Sequence, residues 1–356
     1  MVKQTIAGAL IGAGVMSGAW AQSSVTLYGS IDAGVAYISN VGGGTTWIEE
    51  QGNTQPDRWG LTGTEDLGGG LKTIFKLENG FHTNTGTLVT SLFSRQAYVG
   101  LSSDQFGTLR LGHQTPFSFD VLSPFSTAYL GQSWFAFHPG NLDELADTLG
   151  VPFDNSVKYN SPNWYGFSFG AMMGLGNTTN FATGRRMSYA LSYANGPLKA
   201  GATWSDENNR MVSIAPTGIA TFQGQPSATY VADKLQNMGA GASYQLGKLL
   251  LHALYTRTKL QSNGHSDTFQ SYDAGANYQF TPANSIAGGA ATTTLAGKRW
   301  TQFELGDIYA LSKSTQLYAN VLYEHGSSGT NAAFFTAGVS SSQNQVIILT
   351  GIHHSF

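Results

Sequence analysis

Apolar and polar side chains alternate along most of this chain. Between Val25 and Tyr37, the residues Val25, Leu27, Ile31, Ala33, Val35 and Tyr37 share one parity, and Thr26, Tyr28, Ser30 and Asp32 share the other. Successive side chains of a strand point to opposite faces, so this run predicts a strand with one apolar and one polar side. The same rule predicts strands at Arg58–Thr64, Leu71–Phe81, Arg95–Ser102 and Thr108–Gln114. Beyond a gap it predicts Ser156–Ser161, Phe167–Leu175, Met187–Tyr193, Leu198–Ser205, Val231–Tyr244, Lys248–Lys259 and Thr268–Phe280. The last four are Ser285–Thr294, Arg299–Ala310, Thr315–His325 and Val346–Phe356, which makes sixteen.

The connections alternate in length. Tight turns such as Glu65–Gly70, Ser103–Gly107, Asn195–Pro197 and Thr281–Asn284 are separated mostly by long polar loops, such as Ser39–Pro56, Asp206–Tyr230 and Gly326–Gln345. In an up-and-down barrel that means two unlike rims, as in outer-membrane barrels. Sixteen strands leave an aqueous lumen rather than a packed core. The alternation fails in one place: from Thr115 to Asp154 the chain has no period of two and is rich in Phe, Pro, Ser and Asp. A loop that long inside a compact domain is expected to be functional, and we expect it to fold into the barrel and narrow it. A short helix near Asn141–Leu149 is one expectation within it.

Composition sharpens this picture. Charged residues make up 11% of 356, against roughly 25% in an ordinary soluble domain, while the hydrophobic share is only 41%. No run of about 20 apolar residues follows the amino terminus, which argues against a helical membrane protein. Few charges with moderate hydrophobicity fit an alternating barrel with lipid on one side and water on the other. There is no cysteine, hence no disulfide or thiolate metal site. The first 21 residues carry Lys3, the apolar stretch Ile6–Val15 and Ala19-Trp20-Ala21, a secretory signal pattern with cleavage expected after Ala21. Residues 22–356 then form the barrel domain. Aromatics at strand ends with the lipid-facing parity (Tyr37, Trp59, Tyr193, Trp204, Tyr309, Tyr323, Phe356) suit the headgroup level.

Several motifs resemble one family. The segment Asp57-Arg58-Trp59-Gly60-Leu61-Thr62-Gly63-Thr64-Glu65-Asp66-Leu67-Gly68-Gly69-Gly70-Leu71-Lys72 is similar to the S-R-W-G-L-K-G-x-E-D-L-G-G-G-L-K pattern of trimeric Gram-negative general porins of the β-proteobacterial type. Phe75–Phe81, Phe93–Leu101, Phe106–Gly112, Ser24–Gly29, Asn155–Tyr159, Tyr309–Lys313 and Gly351–Phe356 extend the resemblance over the mature chain. It implies a sixteen-stranded antiparallel transmembrane β-barrel, a homotrimer, and passive diffusion of ions and small hydrophilic solutes.

It also implies a third loop acting as constriction, whose acidic groups (candidates Asp120, Asp143, Glu144, Asp147) face a basic wall. Arg58 and Arg95 are wall candidates by motif; Lys76 and Arg110 are candidates by inward parity alone. The terminal Phe356 resembles the residue read by the outer-membrane assembly machinery. Outer-membrane lipid and lipopolysaccharide are the expected surroundings; no cofactor, metal or nucleic acid is expected. The chain departs from the family at His113, at the entry to the third loop, where Arg is common. The terminal Gly-Ile-His-His-Ser-Phe likewise lacks two cations of the usual pattern. Asp307 falls on the apolar parity of its strand, which nothing short of a bulge explains at this point. A substrate-specific porin is the alternative, because the third loop holds Phe117, Phe119, Phe125, Phe135 and Phe137. A barrel enzyme and a secreted adhesin are remoter readings.

Overall fold

The computed structural model describes residues 24–148 and 151–356, so the expected leader, residues 1–21, lies outside the described residues. In chain order the strands are β1 (Ser24–Val41), β2 in two pieces (Gly44–Gln51 and Arg58–Gly68), β3 (Leu71–Gly80), β4 (Gln96–Ser103) and β5 (Gly107–Gln114). After the long third loop come β6 (Phe153–Asn160), β7 (Phe167–Gly174), β8 (Arg186–Asn195), β9 (Leu198–Val212), β10 (Tyr230–Leu246) and β11 (Leu249–Ser262). The last five are β12 (His265–Gln279), β13 (Asn284–Leu295), β14 (Lys298–Ala310), β15 (Thr315–Gly326) and β16 (Asn344–Ser355).

Each strand pairs antiparallel with the next, and the sheet closes where β1 meets β16, from Ser30 opposite Ser355 to Ile38 opposite Ile347. The result is a closed sixteen-stranded barrel. Closure satisfies the backbone donors and acceptors that hydrocarbon could not. No helix among the described residues is long and apolar enough to cross a membrane, and the crossing elements are the strands.

The two faces separate as the alternation requires. On β1, Val25, Leu27 and Val35 are 64%, 59% and 52% exposed, whereas Ser30, Asp32 and Ala36 are buried toward the interior. Of the expected rim aromatics, Tyr309, Tyr323 and Phe356 are exposed on the outside.

Three local expectations need correction. Within Ser39–Pro56, expected as a loop, Gly44–Gln51 is strand and pairs with the upper part of β1. Its Gly-rich start and paired Glu49-Glu50 hide an alternation that only the neighbouring strand reveals. In the third loop no helix spans 142–148. The helical turns come earlier, at Ser118–Leu122, Ser123–Phe125, Thr127–Gly131, Trp134–Ala136 and Pro139–Asn141. Asp307 sits in continuous register opposite Ile286 and Ala319, with no bulge. It points outward three residues from the end of β14 and accepts a 2.8 Å hydrogen bond from the Asn284 amide. Near that rim the carboxylate reaches headgroups and water, which removes the conflict.

Candidate functional site

The interior is organised by the loop of residues 115–152 (the third loop), which folds back inside the barrel and is fastened to its wall. Phe117, Phe125, Phe135 and Phe137 are all buried and hold it by apolar contact. Polar ties reach several strands. The Asn237 amide donates to the Asp143 carbonyl at 2.6 Å, the Asn320 amide to the Gly131 carbonyl at 3.1 Å, and His252 Nδ1 to the Phe125 carbonyl at 2.9 Å. Lys158 on β6 donates to the Thr115 carbonyl at 2.7 Å and pairs with Asp120 at 2.5 Å.

The central anchor is His138. Its Nδ1 lies 2.6 Å from Asp143 and its Nε2 3.6 Å from Asp273 of β12. Asp143 also accepts from the Thr256 hydroxyl at 2.6 Å, and Asp273 accepts from the Thr127 amide at 2.9 Å. Burial alone would lower the pKa of His138, but the two carboxylates outweigh it and raise it to about 10.

The expected basic wall lies on the opposite side. Arg58, Lys76 and Arg110 sit on the inward parity of β2, β3 and β5, and Arg95 enters just before β4. Glu78, two residues beyond Lys76 on the same face of the strand, is the hub: it meets Lys76 Nζ at 3.0 Å and Arg95 Nε at 2.9 Å, and accepts from the Tyr28 hydroxyl at 2.6 Å. A Cβ at Gly60 would collide with the Tyr28 ring, so only glycine lets that hydroxyl reach across. Arg95 continues to Asp147 of the third loop at 2.9 Å. Arg58 donates only to the neutral Gln55, and no carboxylate pairs with it among the described residues. Arg110 donates to Asn160 at 2.6 Å and stacks on the Tyr98 ring.

The four loop acids do not form one row. Asp120 is exposed to the lumen beside Lys158. Asp147 is 7% exposed, and burial raises its pKa despite Arg95. Asp143 is fully buried at the His138 anchor. Glu144 is buried beside Glu207 and Arg210; burial first, and then Glu207, push its pKa well up. The acids at the anchor are part of how the loop is held, because a carboxylate taken out of water needs partners. His113 also looks away from the lumen: its Nδ1 meets Asp154 at 2.6 Å and its Nε2 donates to the Ser94 carbonyl at 2.9 Å.

Lys158 and Glu78 are site residues that the parity reading did not single out. Lys158 could have been found, since it stands directly opposite Arg110 across β5 and β6.

Adjoining cavities follow. An outer chamber of about 530 Å³ and an inner one of about 550 Å³ share Pro56, Arg95, Trp134 and Asp147, which therefore form the neck between them. Below, the inner chamber shares Asp120, Pro124 and Tyr129 with a third cavity of about 660 Å³ toward the short-turn rim. Three cavities thus lie in series along the barrel interior, past the third loop.

The family model for Gram-negative porins matches residues 7–329. The chain belongs to the Gram-negative porin family. This porin is 30% identical to an outer membrane porin protein of Bordetella pertussis and 29% identical to outer membrane porin protein 32 of Delftia acidovorans, each over the full length of both chains. Among solved structures, it is similar to the anion-selective porin from Comamonas acidovorans, with a TM-score of 0.79 and 27% identity over 94% of this chain and all of that one. It is an outer-membrane diffusion porin. The barrel, the inward third loop and the adjoining cavities fit the passage of small solutes.

Proposed function

We propose that the porin filters solutes by charge at the neck and inner chamber, with a net preference for small anions, and that it works as a homotrimer. The observation that carries the charge reading is Arg58 at the inner chamber, a cation with no carboxylate of its own. Around it Lys76 and Arg95, with Lys158 behind Asp120, are matched by Glu78, Asp120 and Asp147, whereas Glu49, Glu50 and Asp57 line only the outer chamber. Rings of side-chain charge set selectivity in such pores, and low-dielectric walls focus the field where the path is narrow. The similarity to a porin whose name says anion-selective supports the same direction.

A planar-bilayer measurement of reversal potential in a KCl gradient tests it. An anion-side potential is expected; a cation-side potential would reject the charge reading. Migration of the unheated and heated protein in detergent gels tests the trimer.

The expected partners are outer-leaflet lipid and lipopolysaccharide around the apolar belt, and the assembly machinery at Phe356. Phe356 joins the barrel seam through hydrogen bonds with Gly29 in both directions, at 2.9 and 3.1 Å, so a signal read at this residue would be withdrawn as the barrel closes.

A further inference from the structure

We propose that the inner chamber is a weak binding site for small aromatic carboxylates, which sets this porin's preference among the anions it passes. The inference rests on the anion-weighted reading above and adds a second recognition element to it.

The chamber has two unlike walls. On the barrel side are the cations Arg58, Lys76 and Arg95, the last two sharing Glu78. The third loop faces them mainly with Phe119, Pro124, Tyr129 and Trp134; its two acids there, Asp120 and Asp147, are paired with Lys158 and Arg95. Rings on such a loop could simply fasten it down, and Phe117, Phe125 and Phe135 do that, being almost wholly buried. Tyr129 does not: it is 48% exposed, and Phe119 and Trp134 are also partly open. Apolar surface left facing a wet lumen gains by covering itself with an apolar solute. The cavity volume, about 550 Å³, lies within the ordinary range for small-molecule sites.

The two walls select together. A carboxylate is drawn to Arg58, whose only polar partner is a neutral amide, while the neighbouring Lys76 is already held by Glu78 at 3.0 Å. A planar ring attached to that carboxylate can lie along the loop edge formed by Phe119 and Tyr129. Acetate satisfies the first wall alone, and an aromatic ammonium satisfies the second alone. Binding has to stay weak, because a solute that cannot leave blocks the path.

The test is current block by the purified full-length porin in planar bilayers. KCl conductance is titrated with benzoate, acetate and phenethylammonium, and the reversal potential is recorded on the same channels. Benzoate is expected to half-block at a concentration about tenfold below acetate, as covering part of one ring implies, with phenethylammonium no better than acetate. The double variant Phe119→Ser/Tyr129→Ser should raise the benzoate value to that of acetate. Equal block by benzoate and acetate in the unmodified porin overturns the proposal, whatever the variant does, and so does block by phenethylammonium equal to that of benzoate. An anion-side reversal potential with equal block sinks only this site. A cation-side potential with selective benzoate block sinks only the charge reading.

Discussion

The Arg95 guanidinium and the Asp147 carboxylate meet at 2.9 Å, joining the barrel wall to the third loop at the neck. The same guanidinium holds Glu78 at 2.9 Å, so one arginine sets both the position of the loop and the charge of the wall. Its side chain is 8% exposed, and those of Glu78 and Asp147 are 3% and 2%. Breaking a buried pair from one side leaves an uncompensated charge and costs about 3–5 kcal/mol. Arg95→Ala should therefore lower the thermal stability of the folded barrel and loosen the loop, seen as added open-channel noise. Asp147→Asn keeps the hydrogen-bonding shape and removes a negative charge, so its reversal potential should move toward anions.

Arg58 is the cation of the inner chamber that no carboxylate pairs. Arg58→Glu changes the local balance by two charges. At a few ångströms in a water-filled path each is worth on the order of 1 kcal/mol, falling with salt. The anion-to-cation ratio should drop by roughly tenfold at low ionic strength. An unchanged reversal potential would remove Arg58 from the filter.

His138 predicts a pH dependence with a definite sign. Its pKa is raised from the ordinary histidine range to about 10 by Asp143 and Asp273, against the effect of burial. The stabilisation is complete below the unfolded value, near pH 6.5, and is lost as pH rises through about 10. Current fluctuations from the third loop should therefore increase between pH 9 and 11. His138→Gln should show them already at pH 7, with a flatter pH profile. A wild-type trace equally quiet at pH 7 and 11 would show that this anchor does not hold the loop.

Deleting Phe356 removes the two seam hydrogen bonds to Gly29 and the ring that packs over it, where glycine leaves room. Surface levels of the porin should fall while the conductance of the channels that do assemble stays near normal. Normal surface levels would contradict the role given to this residue.

Much of this was legible in the chain itself, for a local reason. Strand alternation is a two-residue rule, so Val25 against Ser30 or Leu305 against Glu304 announces which side faces lipid without reference to anything distant. Once the lipid side is known, the count of strands, the unlike rims and the inward parity of Arg58, Lys76 and Arg110 follow. The third loop announced itself only by breaking the rule. Which of its acids would meet water could not be read there, because burial depends on partners far along the chain. Asp143 is buried by Thr256 and by His138, which itself needs Asp273; Asp147 meets Arg95; Asp120 stays exposed beside Lys158.

Asp307 shows the same division: its outward parity was visible, but its height near the rim came from the assembled sheet. The chain alone therefore determined a hollow barrel with a lipid face and a wet face. Tertiary structure decided which charges line the path, because a charge's neighbours in space are set by closure of the sheet and the fold-back of one loop.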